Sequence, residues 1–248
     1  MSSPPPELSI VLPAYNEERR LPRALERIRE YLAARRLEAE VIVVDDGSSD
    51  ATPVIVQQWR GQLPGLRLVS NGRNRGKGYS VRHGMLKACG RIALFTDVDL
   101  SAPIEEADKL LAALGSCEVA IGSRAVDRSL IEVHQSRLRE LAGIVFNKLV
   151  QWITGLPFVD TQCGFKAFLH ERAKVVFEQQ RAEGFGFDPE ILFLAQRHGL
   201  RIVEIPVRWA HDPDTKVRML RHSLSMFGEL LAIRWHWLLG RYPGGTSG

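Results

Sequence analysis

Two carboxylates one residue apart, Asp97 and Asp99, sit in the stretch Phe95-Thr96-Asp97-Val98-Asp99-Leu100-Ser101, directly after an apolar run over residues 92–95. The pattern reads as a buried strand ending in a polar loop. Alternate residues of an extended segment point the same way, so both carboxylates can share one face and hold one hard divalent cation through oxygen. Asp is also frequent where a strand turns into a helix, so the spacing alone leaves a plain turn open. The neighbouring segments have to decide.

Three further polar loops follow apolar runs in the same manner. Residues 8–12 alternate into a strand stopped by Pro13, after which Asn16 is placed to cap a helix carrying Leu21, Leu25, Ile28 and Leu32 at helical spacing. Residues 41–44 are β-branched, as in a strand buried on both faces of a parallel sheet, and end in the turn Asp45-Asp46-Gly47-Ser48-Ser49-Asp50. The third strand, 66–70, runs into a glycine-rich loop at 71–78 and a helix over 79–89; the fourth, 92–96, precedes a helix near 104–114. Four strand–helix repeats predict an open, doubly wound sheet, in which ligands bind at the carboxyl ends of the strands. All four polar loops fall on that rim.

A nucleoside diphosphate sugar would find what it needs there. Asp45 or Asp46 can accept the imide N–H of uracil while backbone near Ala14 and Tyr15 meets the edge of the base. Lys77 is placed to pair with base, ribose or phosphate. The loop is no P-loop: only three residues separate Gly72 from Gly76, and Gly78 stands where a hydroxyl residue is required.

Composition narrows the class. The 248 residues are 45% hydrophobic, with 33 basic side chains against 29 acidic ones, a balance that does not imply a nucleic-acid partner. Cys89, Cys117 and Cys163 form no C-x-x-C pair, which argues against structural zinc or a disulfide framework and for a reducing compartment. The first residues contain no apolar core of a signal peptide, and no 18-residue uncharged apolar run occurs, so a protein on the cytosolic side without a spanning helix is expected.

Beyond a fifth strand at 119–123, ending in Gly122-Ser123-Arg124, the regular alternation breaks. A helix over 136–155 carries Leu138, Leu141, Val145, Leu149 and Trp152 on one face, widened by Ile144, Phe146, Val150 and Ile153 and flanked by Arg128, Arg137, Arg139 and Lys148. A polar segment at 160–166, a helix near 171–179, the loop 183–188 and a helix begun by Pro189 follow. A strand over 201–209 then leads through a basic loop, 211–218, to a last helix near 220–239 bearing Leu224, Phe227, Leu231, Trp235 and Leu238. An apolar stripe ordinarily faces a core. The width of these two stripes, the tryptophans 152, 235 and 237 and the basic flanks favour contact with a membrane surface.

Taken together, P-A-Y-N-E (13–17), V-V-D-D-G-S-S-D (43–50), N-R-G-K-G (74–78), T-D-V-D-L-S (96–101), G-S-R (122–124), D-T-Q-C-G-F-K (160–166), F-D-P-E (187–190) and T-K-V (215–217) resemble the family 2 glycosyltransferases that act on polyprenyl and dolichyl phosphates. The resemblance runs from Leu8 to about Tyr242, and the 160–166 segment is its most specific part. It implies an α/β fold of GT-A type: a single domain with a mostly parallel central sheet flanked by helices, plus C-terminal amphipathic helices. It also implies a UDP- or GDP-sugar donor, Mg2+ or Mn2+, and inversion at the anomeric carbon. The expected division is a disordered lead over 1–7, a nucleotide-sugar half over 8–123, an acceptor and membrane half over 124–242, and a disordered tail over 243–248.

By position, the resemblance assigns Pro13, Ala14, Tyr15, Glu17, Asp45, Asp46, Lys77 and Val98 to the nucleotide sugar, Asp97 and Asp99 to the cation, and Gln162 and Lys166 to sugar or diphosphate. Ser101 departs from mannosyl relatives, which often carry Gln there, so a third metal ligand at that position stays open. Arg124 and Arg137 are expected at the acceptor phosphate, with Lys216 and Arg218 on a loop closing over the nucleotide beside it. Asp188 is a base, a sugar ligand or simply the cap before Pro189. An acceptor phosphate monoester is largely a dianion at neutral pH and is already a nucleophile, so no general base is strictly required. The expected activity is transfer of glucose from UDP-glucose to a polyprenyl or dolichyl phosphate by a monotopic enzyme on the cytosolic membrane face. GDP-mannose as donor, or a soluble transferase with a non-lipid acceptor, is the alternative.

Overall fold

The computed structural model describes residues 5–133, 137–211 and 219–242; the side chains of 137–139 and 219–225 lie outside that description. Seven strands form one sheet: β1 (Leu8–Ala14), β2 (Ala39–Asp45), β3 (Leu66–Ser70), β4 (Ile92–Thr96), β5 (Val119–Ser123), β7 (Phe165–Leu169) and β8 (Ile202–Pro206), in the order β3-β2-β1-β4-β7-β5-β8. A short pair, β6 (Ile131–Val133) with β9 (Trp209–Ala210), stands beside it. All the pairings of the large sheet are parallel except those of β7, which runs against both β4 and β5.

The continuous apolar strands are explained by burial on both faces. Ile10, Leu12, Val41 and Val43 join one core with Leu21, Leu25 and Ile28 of α1 (Leu21–Arg35), Val56 of α2 (Thr52–Trp59) and Leu110 of α4 (Ala107–Ala113). Val11, Ile42 and Val44 join the other, with Val81 and Met85 of α3 (Lys77–Lys87), Val176 of α6 (His170–Gln179) and Phe193 of α7 (Phe187–Arg197). Both faces are closed, as the parallel strands of the sheet require.

Two local expectations give way. Pro13 does not stop β1, which continues to Ala14. Nor does Asn16 cap α1, which starts at Leu21 with Pro22 in its first turn; Asn16 takes φ 54° and ties two loops together instead. The larger departure is β7. Residues read as a polar approach to a helix become an interior strand of the sheet, inserted between β4 and β5, pairing Thr96 with Phe165 and Ile121 with Lys166. Being antiparallel, β7 starts at the rim where β4 ends, so the 160–164 segment arrives beside Asp97.

The remaining helices, α5 (Arg137–Thr154) and α8 (Met219–Leu238), pack on each other and on α7. Val150 and Ile153 of α5 and Leu230 and Ile233 of α8 are buried in the second core. Leu141, Ile144, Val145 and Trp152 of α5 and Phe227, Leu231, Trp235 and Leu238 of α8 are exposed. Trp237 departs from the expected outer stripe. It is turned inward, edge-on to Phe193 and beneath the Arg197 guanidinium. Among the described residues no helix is long and apolar enough to cross a membrane.

Candidate active site

Three rim loops are sewn into one wall. The Asn16 N–H donates to Ser48 Oγ (2.9 Å), the Ser49 N–H to Asn16 Oδ1 (2.8 Å) and the Glu17 N–H to Thr52 Oγ1 (2.7 Å). Asp46 ties in the glycine-rich loop: Asn71 Nδ2 (2.8 Å) and the Arg75 N–H (2.9 Å) donate to Oδ1, and the Gly76 N–H to Oδ2 (2.8 Å). Three bonds take up most of a carboxylate's capacity of about four. Asp45 is buried and accepts the Ser48 N–H (3.0 Å). Of the two aspartates only Asp46 lines the cavity, and its main work is holding the loop that carries Lys77.

The cavity behind this wall has a volume of about 400 Å³, within the range of small-ligand sites. Pro13, Ala14, Tyr15, Glu17, Lys77, Asp97, Val98 and Asp99 all line it. So do Arg20, Asn74, Ser80 and Phe185, which sequence reasoning passed over. Arg20 is clamped by Glu17 through two 2.7 Å bonds, a pairing legible only as an acid and a base three residues apart. Phe185 comes from a distant Gly-Phe-Gly loop with no motif of its own.

The acid pair is shaped by a turn, not by strand alternation. β4 ends at Thr96, the Leu100 N–H closes onto the Asp97 carbonyl (3.1 Å), and Leu100 adopts φ 48°. A left-handed leucine is costly, and here it folds the chain so that both carboxylates face the cavity. Lys77 Nζ lies 2.7 Å from Asp97 Oδ1. Burial by itself would lower the pKa of Lys77, but Asp97, Asp188 and Asp99 outweigh it and hold the ammonium above its ordinary value. Asp99 is pushed up, first by burial and then by the charge of Asp97, although the Ser101 N–H donates to its Oδ1 at 2.9 Å.

Two carboxylates crowded on one cavity, one already drawing an ammonium as a stand-in cation, suit a divalent ion. Among the described residues no cluster of three or more His, Cys, Asp or Glu side chains is arranged for a metal. Asp97 and Asp99 therefore fit an ion of the Mg2+ type, held by one or two carboxylates with substrate phosphates and water completing the shell.

Other expected site residues are placed differently. Lys166 is 0% exposed in the interior of the sheet, with Nζ donating to Asp188 Oδ1 (2.5 Å) and the Cys163 carbonyl (2.6 Å) and lying 5.3 Å from the centre of the Phe95 ring. It does not line the cavity, and neither does Asp188, which is 3% exposed. The two neutralise each other, since a buried ion without a partner would be costly. Burial pushes Asp188 up, and Lys166 and Lys77 pull it back. Arg124 is bidentate to Asp160 (2.7 and 2.8 Å), 5.4 Å from the Trp209 ring. Its guanidinium lines a second cavity of about 130 Å³ together with Gln162, Arg128 and Trp209. Gln162 is thus separated from the larger cavity. The Arg137 side chain and residues Lys216 and Arg218 lie outside the described residues.

Residues 9–172 match the family described as glycosyl transferase family 2. The chain belongs to that family. It is 34% identical over 254 residues to the human dolichyl-phosphate beta-glucosyltransferase, covering 97% of this chain and 78% of that one. The Drosophila melanogaster and Saccharomyces cerevisiae proteins of the same name are 36% and 34% identical, covering 97% and 95% of this chain and 78% and 76% of theirs. Among solved structures, glucosyl-3-phosphoglycerate synthase from Mycobacterium tuberculosis, in complex with Mn2+, UDP and glucosyl-3-phosphoglycerate, superposes with a TM-score of 0.64. It covers 92% of this chain and 80% of its own at 20% identity, and so shares the fold. The expected GT-A architecture and glycosyltransferase class are borne out.

In this glycosyltransferase Gly164 acts as a mould for the acid pair. A Cβ built there would overlap the Asp97 carboxylate, so any larger residue turns Asp97 out of place. Gly164→Ala is expected to lower kcat/KM by about 10²-fold, the order of effect of a displacement near 1 Å at a reacting centre. Turnover and thermal unfolding measured side by side check it: full activity with a lowered Tm would make Gly164 a packing residue only.

Proposed function

We propose that the chain transfers glucose from UDP-glucose to a dolichyl or related polyprenyl phosphate at the cytosolic surface of a membrane. The observation that carries this reading is the acid pair on a nucleotide-sized cavity, in a chain similar over nearly its whole length to dolichyl-phosphate beta-glucosyltransferases. The cavity walls from β1, β2 and the glycine-rich loop take the uridine, and Lys77 with Arg20 faces the diphosphate. Asp97 and Asp99 would hold Mg2+ or Mn2+, which would neutralise the departing diphosphate.

The acceptor phosphate brings its own nucleophilic oxygen, and Asp188, spent on Lys166, is not needed as a base. The second cavity is lined by two ion pairs, Arg124 with Asp160 and Arg128 with Glu140, so an acceptor phosphate bound there would take its hydrogen bonds from guanidiniums that it shares with those carboxylates. Ile144 of α5 lines the same cavity and belongs to the exposed stripe, so a lipid chain would pass from that cavity onto the membrane-facing side. Residues 8–123 serve the donor and 124–242 the acceptor, with Phe185 as the contribution of the second half to the donor cavity.

The test is direct. Purified protein with Mn2+ or Mg2+, dolichyl phosphate and either UDP-glucose or GDP-mannose should form a lipid-linked sugar from UDP-glucose; transfer from neither donor rejects the reading, and transfer from GDP-mannose alone replaces the donor. Membrane contact has its own expected result. Trp152 and Trp235 are 83% and 60% exposed, so a Trp152→Ala/Trp235→Ala variant should keep its Tm. Its partitioning onto anionic liposomes in flotation should fall by at least about tenfold, since each indole carries a large amphipathic area to the interface. Equal flotation of the two proteins counts against docking through this face.

A further inference from the structure

The donor cavity has one wall that depends on the last helix. Phe185 lines the cavity from the loop at 183–186, which leans on the start of α3 and on α8. The Glu183 carbonyl accepts the Tyr79 N–H and the Gly184 carbonyl the Gly78 N–H, both at 3.2 Å, so the loop caps the first turn of α3, the turn that begins with Lys77. Those amides are therefore not available to a phosphate.

Glu229 of α8 fixes this loop from the other side. Its Oε2 accepts the Gly186 N–H at 2.5 Å, and the side chain fills the space that a Cβ on either neighbouring glycine would need. At Gly186 that Cβ would lie 2.7 Å from the Cβ of Glu229; at Gly184 it would overlap the carboxylate. The loop is pinned at its other end too. Glu190 Oε2 accepts the Arg181 (3.0 Å) and Ala182 (2.7 Å) N–H groups, while its Oε1 accepts from Tyr242 Oη (2.6 Å), just past the end of α8.

We infer that Glu229 is a positioning residue for the nucleotide donor: through Gly186 it holds Phe185 against the cavity and keeps the 183–184 carbonyls on the helix turn that presents Lys77. Glu229 does not line the cavity, so it acts through the loop and does not touch the ligand. The helix that turns Phe227, Leu231 and Trp235 outward turns Glu229 to the donor side, which makes the seat of α8 a determinant of donor affinity.

The inference rests on the donor reading, and calorimetric titration with UDP and Mn2+ separates the two. Glu229→Ala is expected to weaken UDP binding about five- to tenfold, the worth of one hydrogen bond, whereas Glu229→Gln, which retains an acceptor oxygen, should stay within about twofold. Phe185→Ala should show a comparable loss, and the double variant no more than the larger single one, because both act on the same wall. Should Glu229→Ala fail to fold, Gly186→Ala tests the same contact from the loop. Wild-type protein that binds no UDP overturns the donor reading and this inference with it. Wild-type binding with undiminished affinity in Glu229→Ala, or losses that simply add in the double variant, overturns the inference alone.

Discussion

Asp97→Ala is expected to lower kcat/KM for sugar transfer by about 10³-fold or more, roughly 4 kcal/mol of transition-state stabilisation. The carboxylate occupies the one position from which it meets Lys77 at 2.7 Å, fits the hollow left by Gly164 and faces the cavity beside Asp99. On the proposed reading, removing it would deprive the cation of one of two protein ligands, and it frees the Lys77 ammonium from a partner at 2.7 Å. Asp97→Asn separates charge from shape. The amide fits the same hollow and still accepts from Lys77, so its loss should be smaller and partly recovered at raised Mn2+. Folding should be little affected, because Lys77 retains the field of Asp188 and Asp99. Turnover measured across a Mn2+ titration, with Tm as control, decides it. Unchanged activity in Asp97→Ala would put the cation elsewhere.

The rim that lines the larger cavity was legible because its signals are local. Each strand of the parallel sheet is apolar on both faces, each is followed by a polar loop, and the rule that ligands sit at carboxyl ends collects Pro13, Asp46, Lys77 and Asp97 onto one rim. What stayed hidden depends on partners far apart in sequence. Lys166 reads as a free cation until Asp188, 22 residues on, is seen against it, and the charge disguised the strand Phe-Lys-Ala-Phe-Leu in the interior of the sheet. Arg124 reads as a phosphate ligand until Asp160, 36 residues on, takes its fork. The two exposed stripes were found by helical spacing, but spacing could not say that Val150, Ile153 and Trp237 turn inward, since that is set by where α7 packs. The turn at Leu100 was invisible for a different reason: nothing in leucine advertises a left-handed backbone.

The Lys166–Asp188 pair gives the second large effect, this time on stability. Lys166→Met is expected to destabilise the fold by about 3–5 kcal/mol near neutral pH, the usual result of removing one member of a buried ion pair. Methionine replaces the apolar stem, so the loss comes from the carboxylate left behind. Asp188 is already raised by burial, and without the ammonium it rises further. A carboxyl raised in the folded state binds its proton more tightly there than in the unfolded chain, so its contribution is fully present below the ordinary carboxylate pKa and is lost as pH climbs through the folded value. The variant should therefore be closer to wild type at about pH 5 than at about pH 8, where the proton has to be held against solution. Lys166→Met/Asp188→Leu removes the stranded charge and should recover most of the loss, because apolar replacement of a whole buried pair is often neutral or stabilising. Urea unfolding of the three proteins at both pH values measures this. A pH-independent deficit, or a double variant no better than the single one, would mean that Lys166 stabilises β7 by packing against Phe95 and the Cys163 carbonyl and not by neutralising Asp188.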